Sequence, residues 1–143
     1  MVLRFKYRSM ERPQPLGPKS CPMIPIRFTG SAGAFDTAAL LDSGADFTVI
    51  FEDHAQILGI DLSKLEETDV NGIGGAAKAR KTRVSIEVKG KGEHRPFRMD
   101  VPCMILKRHA ENFPILLGRA GFFEQFEVTF KEKDKAVVLK PEA

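Results

Sequence analysis

Apolar residues recur at every second position in short runs along most of this chain, and that period restricts the fold more than any other feature. Met23, Ile24, Ile26 and Phe28 make one such run, and Val84, Ile86 and Val88 make another. Neither run would keep one face buried as a helix. Glycine-rich or charged turns separate them, at Gly30-Ser31-Ala32-Gly33, Gly90-Lys91-Gly92 and Lys131-Glu132-Lys133-Asp134-Lys135. Strands are therefore expected over residues 23–28, 35–41, 47–51, 82–89, 97–106, 115–117, 127–130 and 136–139, and on both sides of a glycine-rich tip at 70–75. Ala55 and Leu58 with Gly59 behind them predict one short helix, and residues 119–126 have the length of one or two helical turns. Short strands at this density predict an all-β architecture, closed into a small barrel or stacked as a sandwich.

The chain has 143 residues, enough to bury a core without disulfide or metal. Residues 1–22 read as a proline-rich arm before a domain at 23–143. Pro13, Pro15, Pro18 and Pro22 with Gly17 oppose regular structure there, while Leu3, Phe5 and Tyr7 alternate like a short strand. Such an arm is expected to pack on something outside its own domain. The net charge of +3, from 22 basic and 19 acidic residues, does not call for nucleic acid. The local run Lys78, Arg80, Lys81, Arg83, then Lys89 and Lys91, has no interleaved aromatics to stack bases and reads as a solvated strand face. No apolar run nears the ~20 residues of a membrane span, no signal-peptide core is visible, and a cytoplasmic location without membrane partners is expected. Cys21 and Cys103 form no CxxC and are expected to be reduced thiols. His54, His94 and His109 have no metal-ligand spacing with them, so neither metal nor cofactor is expected.

Chemistry concentrates in Leu40-Leu41-Asp42-Ser43-Gly44-Ala45-Asp46, followed by Phe47-Thr48-Val49-Ile50. One apolar strand runs into a carboxylate and another leaves it, so Asp42 is delivered at a tight turn between buried elements. A carboxylate there is costly unless hydrogen-bonded. Gly44 lets main-chain N–H groups approach it, and the Ser43 hydroxyl can bond across an interface or to the main chain. An Asx-type turn uses the same residues, and the tripeptide alone does not separate the two readings. Ser43 is no hydrolase nucleophile by pattern, because Gly-x-Ser-x-Gly is absent.

Two further segments stand in order behind it: Gly72-Ile73-Gly74-Gly75 about thirty residues on, and Leu116-Leu117-Gly118-Arg119 leading into residues 120–126. With these three motifs the chain resembles the retropepsin-like aspartic proteases over roughly residues 24–139. The resemblance implies a homodimer in which each chain gives one catalytic Asp42, no cofactor, and an extended peptide or protein as substrate. Ser43, Gly44 and Ala45 would support the active-site loop. Gly44, Asp46, Gly72, Ile73, Gly74 and Leu116 would contact substrate, the glycines as a mobile flap with Ile73 as its apolar cap. Arg119 would pair with Asp46. Position 43 carries Ser where many members carry Thr, and both termini are longer than in the viral members.

A single Asp-Ser-Gly suits this reading, since one carboxylate cannot both hold and accept the proton that hydrolysis requires. The rival readings are a catalytically inactive module that keeps the fold and binds peptides, and a nucleic-acid-binding β domain using the basic hairpin.

Overall fold

The computed structural model describes residues 2–12, 14–72, 75–89, 95–107 and 113–142. In chain order its strands are β1 (Leu3–Lys6), β2 (Arg8–Met10), β3 (Lys19–Cys21), β4 (Met23–Thr29), β5 (Ala34–Leu41), β6 (Thr48–Phe51), β7 (Glu67–Gly72), β8 (Gly75–Val88), β9 (Phe97–Leu106), β10 (Leu116–Leu117), β11 (Phe126–Lys131) and β12 (Ala136–Pro141). Helix α1 (Glu52–Leu58) follows β6, and a short 3₁₀ turn, Leu62–Lys64, precedes β7. The chain is all-β in class, as its periodicity predicts.

Strands β4, β5, β10, β6, β9 and β8 lie side by side, and β8 pairs back onto β4, so the row closes on itself. Alternation explains what fills the ring. Ile24, Ile26 and Phe28 from β4, Val84, Ile86 and Val88 from β8, and Val101, Cys103 and Ile105 from β9 are all buried. Fully burying a large aliphatic or aromatic side chain contributes about 1.5–3 kcal/mol, so a one-residue slip in any of these strands would be heavily penalised. Helix α1 covers one end, with Ala55 and Leu58 inward and its first turn capped by the Phe51 N–H donating to His54 Nδ1 at 3.1 Å.

The arm corrects the expectation that it packs elsewhere. β1 runs antiparallel to β12, with Leu3 opposite Leu139 and Phe5 opposite Val137, and both Leu3 and Phe5 join the core. Alternation was the informative signal here, because only one face of the strand needs burial and β12 supplies it. β2 and β3 then form a separate two-stranded ribbon. Pro15 and Pro18 do not disrupt it, since they lie in the connection rather than at paired positions.

A second correction falls at Arg119–Phe123. Instead of regular helical turns, the backbone is extended at Ala120 (φ −67°, ψ 124°) and left-handed at Gly121 (φ 83°). A side chain at Gly121 would have its Cβ 2.8 Å from Val101 Cγ1, so only glycine fits this tight reversal. The turn at 90–92, His94 and His109, and the tip residues Ile73 and Gly74 lie outside the described residues.

Candidate active site

β5 and β6 are consecutive strands, yet they are not neighbours: β10 lies between them, parallel to β5 and antiparallel to β6. Leu116 sits across from Leu40 on one side and Val49 on the other. The loop joining β5 to β6 therefore has to pass over the end of β10, and Asp42 is the first residue of that loop.

Main-chain hydrogen bonds fix its shape. Asp42 N–H donates to the Leu117 carbonyl at 3.0 Å, and Ala45 N–H donates to the Asp42 carbonyl at 3.1 Å. Arg119 N–H donates to Ala45 O and Ala120 N–H to Asp46 O, both at 2.9 Å. The loop and the segment after β10 are thus laced together on both sides of Gly118. There the two backbones touch, and a Cβ on Gly118 would lie 2.3 Å from the Phe47 carbonyl oxygen. Steric demand for glycine at 118 comes from this crossing, which no local pattern announces.

The Asp42 side chain is half-buried, and its Oδ1 accepts the Gly44 N–H at 2.9 Å. This is the Asx-type bond that the Asp-Ser-Gly sequence allows in either reading. Asp42 also lines a groove of about 490 Å³, together with Leu40 and Leu41. The Ser43 side chain is exposed, and its hydroxyl has no hydrogen-bond partner among the described residues. Leu117 is fully buried beneath the loop, whereas Leu116 is only half-buried.

Arg119 Nη2 donates to Asp46 Oδ1 at 2.5 Å, so the expected pair is formed. The pair is exposed: the two side chains are 61% and 72% exposed in the single chain. Phe47 also carries the Lys81 ammonium over its ring at 5.3 Å. Just under the loop, Thr48 is fully buried, and its Oγ1 has no hydrogen-bond partner among the described residues.

β7 and β8 form the hairpin whose tip was expected at 72–75, with Gly72 opposite Gly75. Its cations are committed to structure. Lys78 pairs with Asp69, Arg80 with Glu67 and the carbonyls of Leu62 and Leu65, and Arg83 with the Asp100 carbonyl. This is the solvated strand face read from the sequence. Neither cysteine offers a nucleophile: both are buried as free thiols, and burial pushes the Cys103 thiol up to about 12. No cluster of three metal-ligating side chains occurs among the described residues.

The site missed one component at the level of sequence. The far wall of the Asp42 groove is built by the ribbon, through Met10, Arg12, Lys19 and Ser20. Only the pairing of β2 with β3, invisible among the prolines, brings these residues there.

Comparison with known proteins agrees with this geometry. A family model described as aspartyl protease matches residues 24–120, about two-thirds of the chain. A solved structure, a retropepsin-like aspartic protease from Rickettsia conorii, superposes with a TM-score of 0.61 at 19% identity, covering 97% of this chain and 98% of that one. Among curated proteins nothing matches.

Proposed function

Because the chain belongs to the aspartyl protease family and has the retropepsin-like fold, we propose that it is a homodimeric aspartic endopeptidase in which Asp42 of each chain forms half of the catalytic pair. The observation that carries this reading is the Asp42 carboxylate itself. Its Oδ1 accepts the Gly44 N–H, the Asp42 main-chain N–H is tied to the Leu117 carbonyl at the strand crossing, and the residue lines an open groove.

Each step follows from the chemistry of two such carboxylates. Brought a few ångströms apart by a twofold axis, they cannot both ionise cheaply and share one proton. The ionised member takes a proton from water as its oxygen attacks the peptide carbonyl carbon, and the protonated member gives its proton to the carbonyl oxygen. The resulting tetrahedral diol collapses, the C–N bond breaks, and the leaving amine takes up a proton from the pair. Ser43, exposed at the loop tip, is placed to bond its counterpart in the partner chain. Gly44 offers main-chain contacts to an extended substrate, Leu116 an apolar surface beside it, and the β7–β8 hairpin a cover that excludes water. The reaction uses neither metal nor cofactor.

The test is Asp42→Asn. An amide can neither share the proton nor activate water, so turnover of a peptide mixture should fall about a thousandfold while folding and peptide binding persist. Equal hydrolysis by a folded Asp42→Asn variant defeats the proposal. Binding without turnover in the wild type would instead favour the inactive peptide-binding module.

A further inference from the structure

We propose that the β2–β3 ribbon is a wall of the substrate groove, and that Arg12 and Lys19 on it select peptides bearing a carboxylate side chain near the scissile bond. The inference rests on the protease reading for what the groove binds, and it goes further by naming the substrate class.

The groove beside Asp42 has two walls of unlike character. Leu41 at the end of β5 and Asp42 just after it line the groove together with Met10, Arg12 and Lys19 of the ribbon region, and Glu132 of the β11–β12 turn joins them. Arg12 Nε and Nη2 donate to the carbonyls of Gly17 (2.9 Å) and Leu16 (2.8 Å). These bonds fix the guanidinium against the loop between β2 and β3. Carbonyls orient a cation without cancelling its charge, and Arg12 has no carboxylate partner among the described residues. Its Nη1 makes no protein hydrogen bond among them either, so donors remain for a ligand.

The charges facing the groove favour an anion. Glu132 is already engaged by the Lys135 ammonium, with Oε2 2.5 Å from Nζ. That bond, with lesser help from Tyr7 and Lys19, keeps the Glu132 carboxyl below the ordinary carboxylate range. Glu11 precedes Arg12 in sequence but is not part of the groove lining. With Glu132 held by Lys135, which lies outside the lining, Arg12 and Lys19 stand in the groove against the reacting Asp42, and a substrate carboxylate would even the balance. Apolar neighbours Met10 and Leu41 reduce the water that could screen the pairing.

β1, directly before the ribbon, puts Leu3 and Phe5 into the core and so ties the ribbon to the fold at that end. Its place beside Asp42 is part of the folded chain.

The experiment uses the full chain and a synthetic octapeptide set with apolar residues at the central bond, in which each flanking position in turn is Glu, Gln or Lys. Cleavage is measured with wild type, and binding by fluorescence anisotropy with the Asp42→Asn variant. At one flanking position Glu should be preferred over Gln by about fivefold, as for a solvent-accessible ion pair, and the preference should shrink with added salt. Arg12→Gln with Lys19→Gln should abolish it. Arg12 also braces the ribbon loop, so exposed Lys19 gives the cleaner variant: Lys19→Glu should shift the preference from Glu toward Lys. Absence of any carboxylate preference in wild type, or a preference that neither variant moves, overturns the inference. Cleavage without such preference leaves the protease reading standing and removes this one. A carboxylate preference in binding that Lys19→Glu reverses, with no cleavage by wild type, does the opposite. A chain that neither binds nor cuts the set loses both.

Discussion

The two walls of the groove are held by different means. The loop from Asp42 to Phe47 is fixed by main-chain bonds to Leu117, Arg119 and Ala120, and by backbone contact at Gly118. The ribbon opposite has three residues per strand, forms a small sheet of its own, and has its connecting loop braced by the single side chain of Arg12. A reacting carboxylate must stay within a fraction of an ångström of its position, and main-chain bonds, which side-chain changes other than to proline leave in place, suit that need. A selective wall needs charge near the ligand, which side chains on a small ribbon provide and sequence change can readily alter. On the proposed reading, rigidity and selectivity are divided between the two.

Gly118→Ala attacks the rigid side and should have the largest effect. Its Cβ would meet the Phe47 carbonyl and the Phe47 main chain, none of which can rotate away. Separation of the loop from β10 should cost about 3 kcal/mol or more and lower the melting temperature by roughly 10 °C. A variant melting within a degree or two of wild type would show that the crossing is not what holds the loop.

On the other side, Leu3→Ala removes an anchor of β1, which leads into the ribbon. Leu3 is 2% exposed, and truncation should cost about 2–3 kcal/mol, the low end for a buried leucine because it lies near the chain terminus. Amide hydrogen exchange distinguishes the walls: ribbon amides should open faster in this variant, while the Asp42 and Ala45 amides keep most of their protection. Equal acceleration in both would mean that the walls form one cooperative unit, and the contrast between them would fail.

How much of this could be read beforehand depended on whether a residue's role is local. Leu40 to Asp46 was legible because an apolar strand ending in Asp-Ser-Gly states both a turn and its chemistry within seven residues. The strands 97–106 and 127–130 were legible because alternation and turn residues are local as well. The place of β10 was not, since a two-residue strand has no period, and its parallel pairing with β5 joins residues far apart in sequence. The reason for glycine at 118 is a contact with Phe47, 71 positions away in the chain, which the local run Leu-Leu-Gly-Arg does not carry. The ribbon was hidden by its prolines, and residues 119–126 looked helical because the left-handed turn at Gly121 rests on packing against Val101. Sequence therefore marked the Asp42 carboxylate of the proposed site but not the ribbon that lines the groove with it.

The smallest expected effect on the chain itself comes from Arg119. Its pair with Asp46 is a single Nη2–Oδ1 contact between exposed side chains, and exposed pairs contribute little to folding. Arg119→Gln should leave the melting temperature nearly unchanged where the chain is monomeric. If the loop borders the subunit contact of the proposed dimer, the same pair loses water on association, and the defect should appear there instead. Specific activity of Arg119→Gln should then fall on dilution at a protein concentration about tenfold higher than for wild type. Arg119→Lys should behave similarly, because an ammonium cannot reproduce the planar guanidinium. Adding Asp46→Asn removes the carboxylate left unpaired and should recover part of the loss, which a double-mutant cycle on the dimer dissociation constant measures. Strict additivity in that cycle would mean that the pair matters to neither state, and that the rigid wall is held by its main chain alone.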